Sequence, residues 1–406
     1  MAEQVLFKQI LSHCKPYLSE NQHGFFPGRS TISNLSQFTQ YCVETLDTGG
    51  QIDVIYTDLT KAFDQISHDI LIQKLDFFGF SKLALTFLKS YLNNRYNYVR
   101  YKGFKSSTYI SRSGVPQGSN LGPLLFILYF NDIFSTLSCH TLAYADDVKL
   151  YAQINSSEDA DRLQADLYNF HLWCSKNGLI LNPDKCVYMQ LTRRKASIPS
   201  IYSLEAIVLA KVDTHKDVGV LFDTTLSFSN HVSQICTTTA KTLGCIIRMA
   251  KELHTKEVVI LLFNAFVRSG LEYASVVWYP HYASQKNALE LIQRRFLKYL
   301  TFRLTDNYPS RSIDYNYLLE LHSTDSRSTR REQSSALFMQ KLLNNKVDSP
   351  YLLNKINFRV PQSNSRNMKT FYNSQTRTNL AFKAPLAHMS VNTDHYYPDP
   401  FWVHNC

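Results

Sequence analysis

The 406-residue sequence predicts an α+β fold, and three observations carry that reading. Ile52 to Leu59 is an apolar run whose alternation as a strand puts Val54, Tyr56 and Asp58 on one face. Thr141 to Tyr151 has two apolar arms around Ala145-Asp146-Asp147, the form of a hairpin. From Asn230 the periodicity turns helical, with stretches at roughly 230–251, 255–275 and 284–302.

Taken in order, residues 4–18 predict a short helix, followed by a loop over 22–30. A helix runs from Thr31 to about Leu46 and is closed by Thr48-Gly49-Gly50. After the strand, Ser67 to Phe78 carries Ile70, Leu71, Lys74, Leu75 and Phe78 at helical spacing, with Gly79 at its end. Val99–Tyr101 and Thr108–Arg112 predict two strands around Gly103. Gly114 to Gly122 is a glycine- and proline-rich loop opening into an apolar helix to about Phe134. Past the hairpin, Ser-Ser-Glu-Asp caps a helix from Ser157 to about Asn177, which Gly178 stops. Leu179–Met189 and Val218–Phe222 predict strands, 329–345 a helix, and 360–406 a partly disordered tail. No internal repeat interrupts the pattern.

Hydrophobic residues at 44% and charged residues at 19% suit a globular chain. The apolar runs Leu124–Phe130 and Val258–Phe263 fall far short of the ~20 residues of a membrane span. No signal peptide opens the chain, so a nuclear or cytoplasmic setting is expected. The eight cysteines are scattered with no C-x2-C pair, which argues against a zinc site or a disulfide framework. Net charge is +10, of which residues 201–406 carry 24 basic and 16 acidic side chains. The excess lies in 280–406 and fits either a grip on a polyanion or a solvated basic surface.

Two places carry chemistry: Asp58, in Tyr-Thr-Asp-Leu-Thr-Lys-Ala-Phe-Asp, and the pair Asp146-Asp147, in Tyr-Ala-Asp-Asp. Alone, an Asp-Asp in a turn is turn chemistry and an Asp ending a strand is a cap. Side by side, two such strands gather three carboxylates whose repulsion calls for a cation. Hard oxygen donors suit Mg²⁺, with Mn²⁺ as the alternative. Two such ions roughly 3.5–4 Å apart serve in-line phosphoryl transfer.

Five segments in order resemble the motifs of reverse transcriptases from non-LTR (LINE-type) retrotransposons, jockey-like elements above all. They are Gln-His-Gly-Phe-Phe-Pro-Gly-Arg-Ser-Thr (22–31), Asp-Leu-Thr-Lys-Ala-Phe-Asp-Gln-Ile-Ser-His (58–68), Ser-Gly-Val-Pro-Gln-Gly-Ser-Asn-Leu-Gly-Pro-Leu-Leu-Phe (113–126), Tyr-Ala-Asp-Asp (144–147) and Leu-Asn-Pro-Asp-Lys-Cys (181–186). Val-Gly-Val-Leu-Phe-Asp (218–223) resembles the hairpin that grips the primer, and 271–282 with Gln-Arg-Arg-Phe (293–296) resembles the thumb and its continuation.

The resemblance implies a right-hand polymerase fold with a palm sheet, partial fingers and a helical thumb. The expected domains are fingers and palm over 1–228, thumb over 229–302 and a basic, partly irregular extension over 303–406. The implied activity is RNA-directed DNA polymerisation, adding dNTPs to a primer 3′-OH on an RNA template. Asp58, Asp146 and Asp147 would hold the metal and carry catalysis. Phe63 would lie under the sugar of the incoming nucleotide and exclude a 2′-OH. Gln117 and Gly118 would contact nucleotide and template, and Arg29 the triphosphate. Lys185 would protonate the departing pyrophosphate. Asp64 is expected to be a structural acceptor. The chain reads as N-terminally truncated, opening inside the fingers, without an endonuclease domain before it or a zinc knuckle or ribonuclease H after it. The competing reading is an inactive relic that binds RNA, and Phe63 argues against an RNA polymerase. Oligomeric state is not legible.

Overall fold

Strand β1, Gln51–Thr57, has all seven residues buried, the mark of a strand covered on both faces. Following it in the chain are the short strands β2 (Arg95–Asn97), β3 (Arg100–Tyr101), β4 (Phe104–Lys105) and β5 (Tyr109–Ser111). Next come β6 (His140–Tyr144), β7 (Asp147–Ile154), β8 (Val187–Thr192), β9 (Ser203–Leu204), β10 (Ile207–Val208), β11 (Ala210–Lys211), β12 (Thr214–Asp217) and β13 (Val220–Asp223). A five-stranded sheet runs in the order β11-β8-β1-β7-β6, with β1 antiparallel to both neighbours. The computed structural model describes residues 2–252, 255–280, 282–359, 369–372, 376–382 and 384–397.

The chain divides into two units: Met1–Asn34 with Gly49–Asp213, and Leu35–Thr48 with Thr214–Cys406. The first holds the sheet. The helix Leu121–Phe130 is apolar all round and buried at nine of its ten positions, so it is the core of this unit rather than a surface helix. Phe126 stacks on Phe63 with centroids 4.3 Å apart, and Phe130 meets Trp173 edge-on at 5.1 Å. Each such ring contributes roughly 1.5–3 kcal/mol on burial. Helix Ser157–Lys176 starts with a capping box between Ser156 and Asp159. Within β1, Asp53 is buried and accepts hydrogen bonds from Gln51, Gln190, Ser200 and Tyr202.

The second unit is mostly helical: Ser229–Met249, Lys256–Leu262, Ala283–Thr305, Arg327–Leu343 and Pro385–Tyr396 are its main helices. Trp278 is fully buried at its centre, donating from Nε1 to the Tyr273 carbonyl at 2.7 Å. Glu272 gathers Arg268, Arg327 and Arg330. Burial alone would push its carboxyl up, but the three guanidinium groups outweigh it and hold it below the usual carboxylate range.

Several expectations are corrected. Leu179–Met189 is not one strand: Asn182 to Cys186 form a turn, with Lys185 and Cys186 donating their N–H groups to the Asn182 carbonyl, and the strand begins only at Val187. The stretch 255–275 is not a uniform helix, because residues Phe263–Arg268 widen into a π-helical turn. In compactness the chain passes from the first unit to the second at Asp213/Thr214, and 229–302 and 303–406 fall in the same unit. Much of the expected disordered tail lies outside the described residues, but Pro385–Tyr396 within it is a helix with Met389 and Thr393 fully buried. Among the described residues no disulfide links the cysteines. No described helix is long and apolar enough to cross a membrane.

Candidate active site

The register of the sheet brings the two acidic segments together. Thr57 at the end of β1 pairs with Val148 of β7, so one further step along the ladder sets position 58 beside Asp147. Tyr144 pairs with Asp147 across the β6–β7 hairpin, leaving Ala145 and Asp146 as its two-residue turn. Ala145 has φ 59°, a conformation costing an alanine roughly 1–2 kcal/mol. Something must hold it there.

Gln22 does. Its side-chain oxygen accepts the Ala145 N–H at 2.9 Å and its amide donates to the Ala145 carbonyl at 3.1 Å. A Cβ on Gly24 would lie 2.2 Å from the Ala145 nitrogen, so this glycine is required for the loop to press against the turn. His23 N–H and the Asn34 amide both donate to the Ala143 carbonyl. Segment 22–31 is therefore the brace of the acidic hairpin. Gln22 and Gly24 were not singled out from sequence; their place in the first motif was the only signal.

The carboxylates sense one another. Asp146 is held above the usual carboxylate range, first by burial and further by the charge of Asp58. Asp58 is partly exposed, with Lys185 Nζ 3.4 Å from its Oδ2. The turn at 182–186 docks on the end of β1, with the Asn182 N–H donating to the Asp58 carbonyl at 2.9 Å, and this carries Lys185 to the site. Among the described residues, no three His, Cys, Asp or Glu side chains stand close enough together to enclose a metal ion. Convergence is thus set in the backbone, while the side chain of Asp58 is turned to Lys185. The donor set, three carboxylates of which two already repel, has the chemistry that a divalent cation relieves.

Phe63 is half-buried, stacked on Phe126 and edge-on to Phe25 at 5.8 Å. Val115 N–H donates to the Phe63 carbonyl and Gly114 N–H to that of Ile66, which straps the 113–118 loop to this turn. A Cβ on Gly114 would sit 2.8 Å from the Asp64 Cα. Asp64 is an acceptor as expected, taking the Gln117 amide at 2.9 Å. His68 Nε2–H donates to the Gly114 carbonyl at 2.8 Å, a brace not foreseen. Gly118 has φ 81° with nothing of the chain within 4 Å of a built Cβ, so backbone conformation rather than crowding requires glycine there. Arg29 is committed elsewhere: its Nη1 donates to the carbonyls of Ser19 (2.6 Å) and Gln22 (2.8 Å), and its guanidinium covers Phe26 at 4.0 Å. That is a structural task, holding the brace loop.

The family model described as reverse transcriptase (RNA-dependent DNA polymerase) matches residues 2–252. The probable RNA-directed DNA polymerase from transposon BS of Drosophila melanogaster is 28% identical over 331 residues, covering 77% of this chain and 35% of that protein. The probable RNA-directed DNA polymerase from transposon X-element of the same species is 31% identical over 54% of this chain and 24% of its own length. The RNA-directed DNA polymerase from mobile element jockey of Drosophila funebris is 24% identical, over 73% of this chain and 34% of its own. The chain therefore spans between 24% and 35% of the length of these relatives. An apo telomerase from Candida tropicalis overlaps at TM-score 0.44 with 10% identity, over 86% of this chain and 54% of that one.

Proposed function

We propose a function from one premise: this chain belongs to the reverse transcriptase (RNA-dependent DNA polymerase) family. The proposed activity is RNA-directed DNA synthesis by a non-LTR retrotransposon polymerase, adding dNTPs to a primer 3′-OH annealed to RNA, in the nucleus or cytoplasm. In this reading the sheet of the first unit is the palm and the helices from Ser229 onward form the thumb.

The observation that most supports the reading is the β1–β7 register, with Thr57 opposite Val148, together with the Gln22 brace on the acidic turn. Asp58, Asp146 and Asp147 would hold the divalent ion, Mg²⁺ or Mn²⁺. When bound, that ion would supply Lewis-acid activation of the primer hydroxyl and charge neutralisation at the leaving pyrophosphate. Phe63, its ring backed by Phe126, would select the deoxy sugar by bulk. Gln117, whose amide is oriented by Asp64, would meet the incoming nucleotide beside Gly118. Lys185, which reaches the site at Asp58, would donate a proton to the leaving group. Arg29 would act through the brace loop rather than on the triphosphate. No finding favours the inactive relic.

Primer extension on an RNA template with Mg²⁺ tests the proposal. Wild type should extend the primer, and Asp146→Asn should lose at least about 100-fold in rate, the scale of removing a preorganised charge-stabilising group. Absence of extension by wild type would overturn it.

A further inference from the structure

Between Phe77 and Asn131 the chain has seven lysines and arginines and not one acidic residue. The middle of that stretch is a β-ribbon in the first unit: β2 pairs with β5, and beyond them β3 pairs with β4 around Lys102-Gly103, both at positive φ. Arg100 lies opposite Lys105, and Tyr101 opposite Phe104. Strand alternation then sorts the tip into two faces. One presents Val99, Tyr101 and Phe104; the other presents Tyr98, Arg100 and Lys105, with Lys105 Nζ 4.8 Å from the centroid of the Tyr98 ring.

Neither face is core. Tyr96, Tyr101 and Phe104 are 68%, 69% and 82% exposed. A two-stranded ribbon gains little stability from rings left in water, so packing does not account for them. An aromatic face backed by uncompensated positive charge has the chemistry of a base-stacking platform: rings take unpaired bases, and cations take the phosphates between them. A duplex offers no unstacked base to such rings, and an apolar protein partner has no use for the five cations Arg95, Arg100, Lys102, Lys105 and Arg112.

We propose that this ribbon is a binding site for single-stranded RNA, held by stacking on Tyr101 and Phe104 and by the charges of Arg100 and Lys105. The choice of RNA rests on the polymerase reading, in which an unpaired template strand must be held beside the site.

The full chain is titrated against a fluorescent, unstructured 20-nucleotide RNA and against an RNA duplex, by anisotropy over a range of salt. Y101S/F104S should weaken single-strand binding by about tenfold or more and duplex binding much less. Y101F/F104Y, which keeps both rings, should bind as wild type. R100Q/K105Q should flatten the slope of log affinity against log salt by about 1.4. Melting curves of every variant should match wild type, because the ribbon's side chains are exposed. Equal affinity of wild type and Y101S/F104S would overturn the proposal. So would failure of wild type to bind the oligonucleotide, or loss of self-association in Y101S/F104S with RNA affinity unchanged. Ring-dependent RNA binding without primer extension would sink the polymerase reading and leave this site standing; extension with ring-independent binding would do the reverse.

Discussion

Asp53 within β1 and Asp58 just past its end sit five residues apart in contrasting surroundings. Asp53 is enclosed by four donors from Gln51, Gln190, Ser200 and Tyr202, and it raises the Tyr202 hydroxyl, which burial raises first. Asp58 stands at the strand's end, partly exposed, beside Lys185. Asp53→Ala leaves those buried donors unmatched and should cost about 3 kcal/mol, while Asp58→Asn should leave the melting temperature nearly unchanged and abolish extension. Thermal denaturation of both variants, read against primer extension, separates the structural carboxylate from the one proposed to be catalytic. Gly24 is a second case. An added Cβ 2.2 Å from a backbone nitrogen has no flexible neighbour to push aside, so Gly24→Ala should displace the acidic turn and lower extension by at least about tenfold, even where the protein stays folded by circular dichroism. The carboxylates were legible in sequence because a strand end and a hairpin turn are local patterns. The brace was not, because Gln22 meets Ala145 across more than a hundred residues and leaves no local period.

The β12–β13 hairpin shows how an element is secured from outside itself. Val218 and Gly219 turn it at positive φ, and Tyr273 lies over Gly219 with its hydroxyl donating to the Val218 carbonyl at 2.9 Å. Asp223 is bonded by Thr225, Ser227 and Phe228; burial alone would raise its carboxyl, but those bonds hold it low. His231 accepts the Leu221 N–H at Nδ1 and sits edge-on to Trp278. Burial, with the charge of Lys216 behind it, pulls its pKa down from 6.5 to about 4. The folded value lies below the unfolded one, so the unfolded chain takes up the proton first as pH falls. Stability is intact above about pH 6.5 and should fall by about 3 kcal/mol on the way to pH 4. In H231Q the pH 7 to pH 4 difference in chemical denaturation should shrink by about that amount; an unchanged difference would refute the assignment. Among the elements, the helix Lys82–Leu92 escaped sequence reading although Leu85, Leu88 and Leu92 recur at helical spacing, because the exposed Leu83 and Phe87 blur its apolar face. Helices with one buried face, such as Ser157–Lys176, were read to within a residue or two.

Taken whole, the molecule keeps its proposed chemistry in the unit that carries the sheet, 1–34 with 49–213, and builds the other from helices. The boundary at 213/214 was not visible in composition, because β12 and β13 pair with each other and not with the five-stranded sheet, a distinction that local sequence does not record. The central claim is that positions 58, 146 and 147 share one metal. Replacing Mg²⁺ with Fe²⁺ and mapping the backbone cuts made by locally generated hydroxyl radicals tests this directly. The expected result is simultaneous cleavage near residue 58 and near 146–147, suppressed by excess Mg²⁺ and lost in D146N. Cleavage near only one of the two segments, or cuts that Mg²⁺ does not suppress, would contradict it.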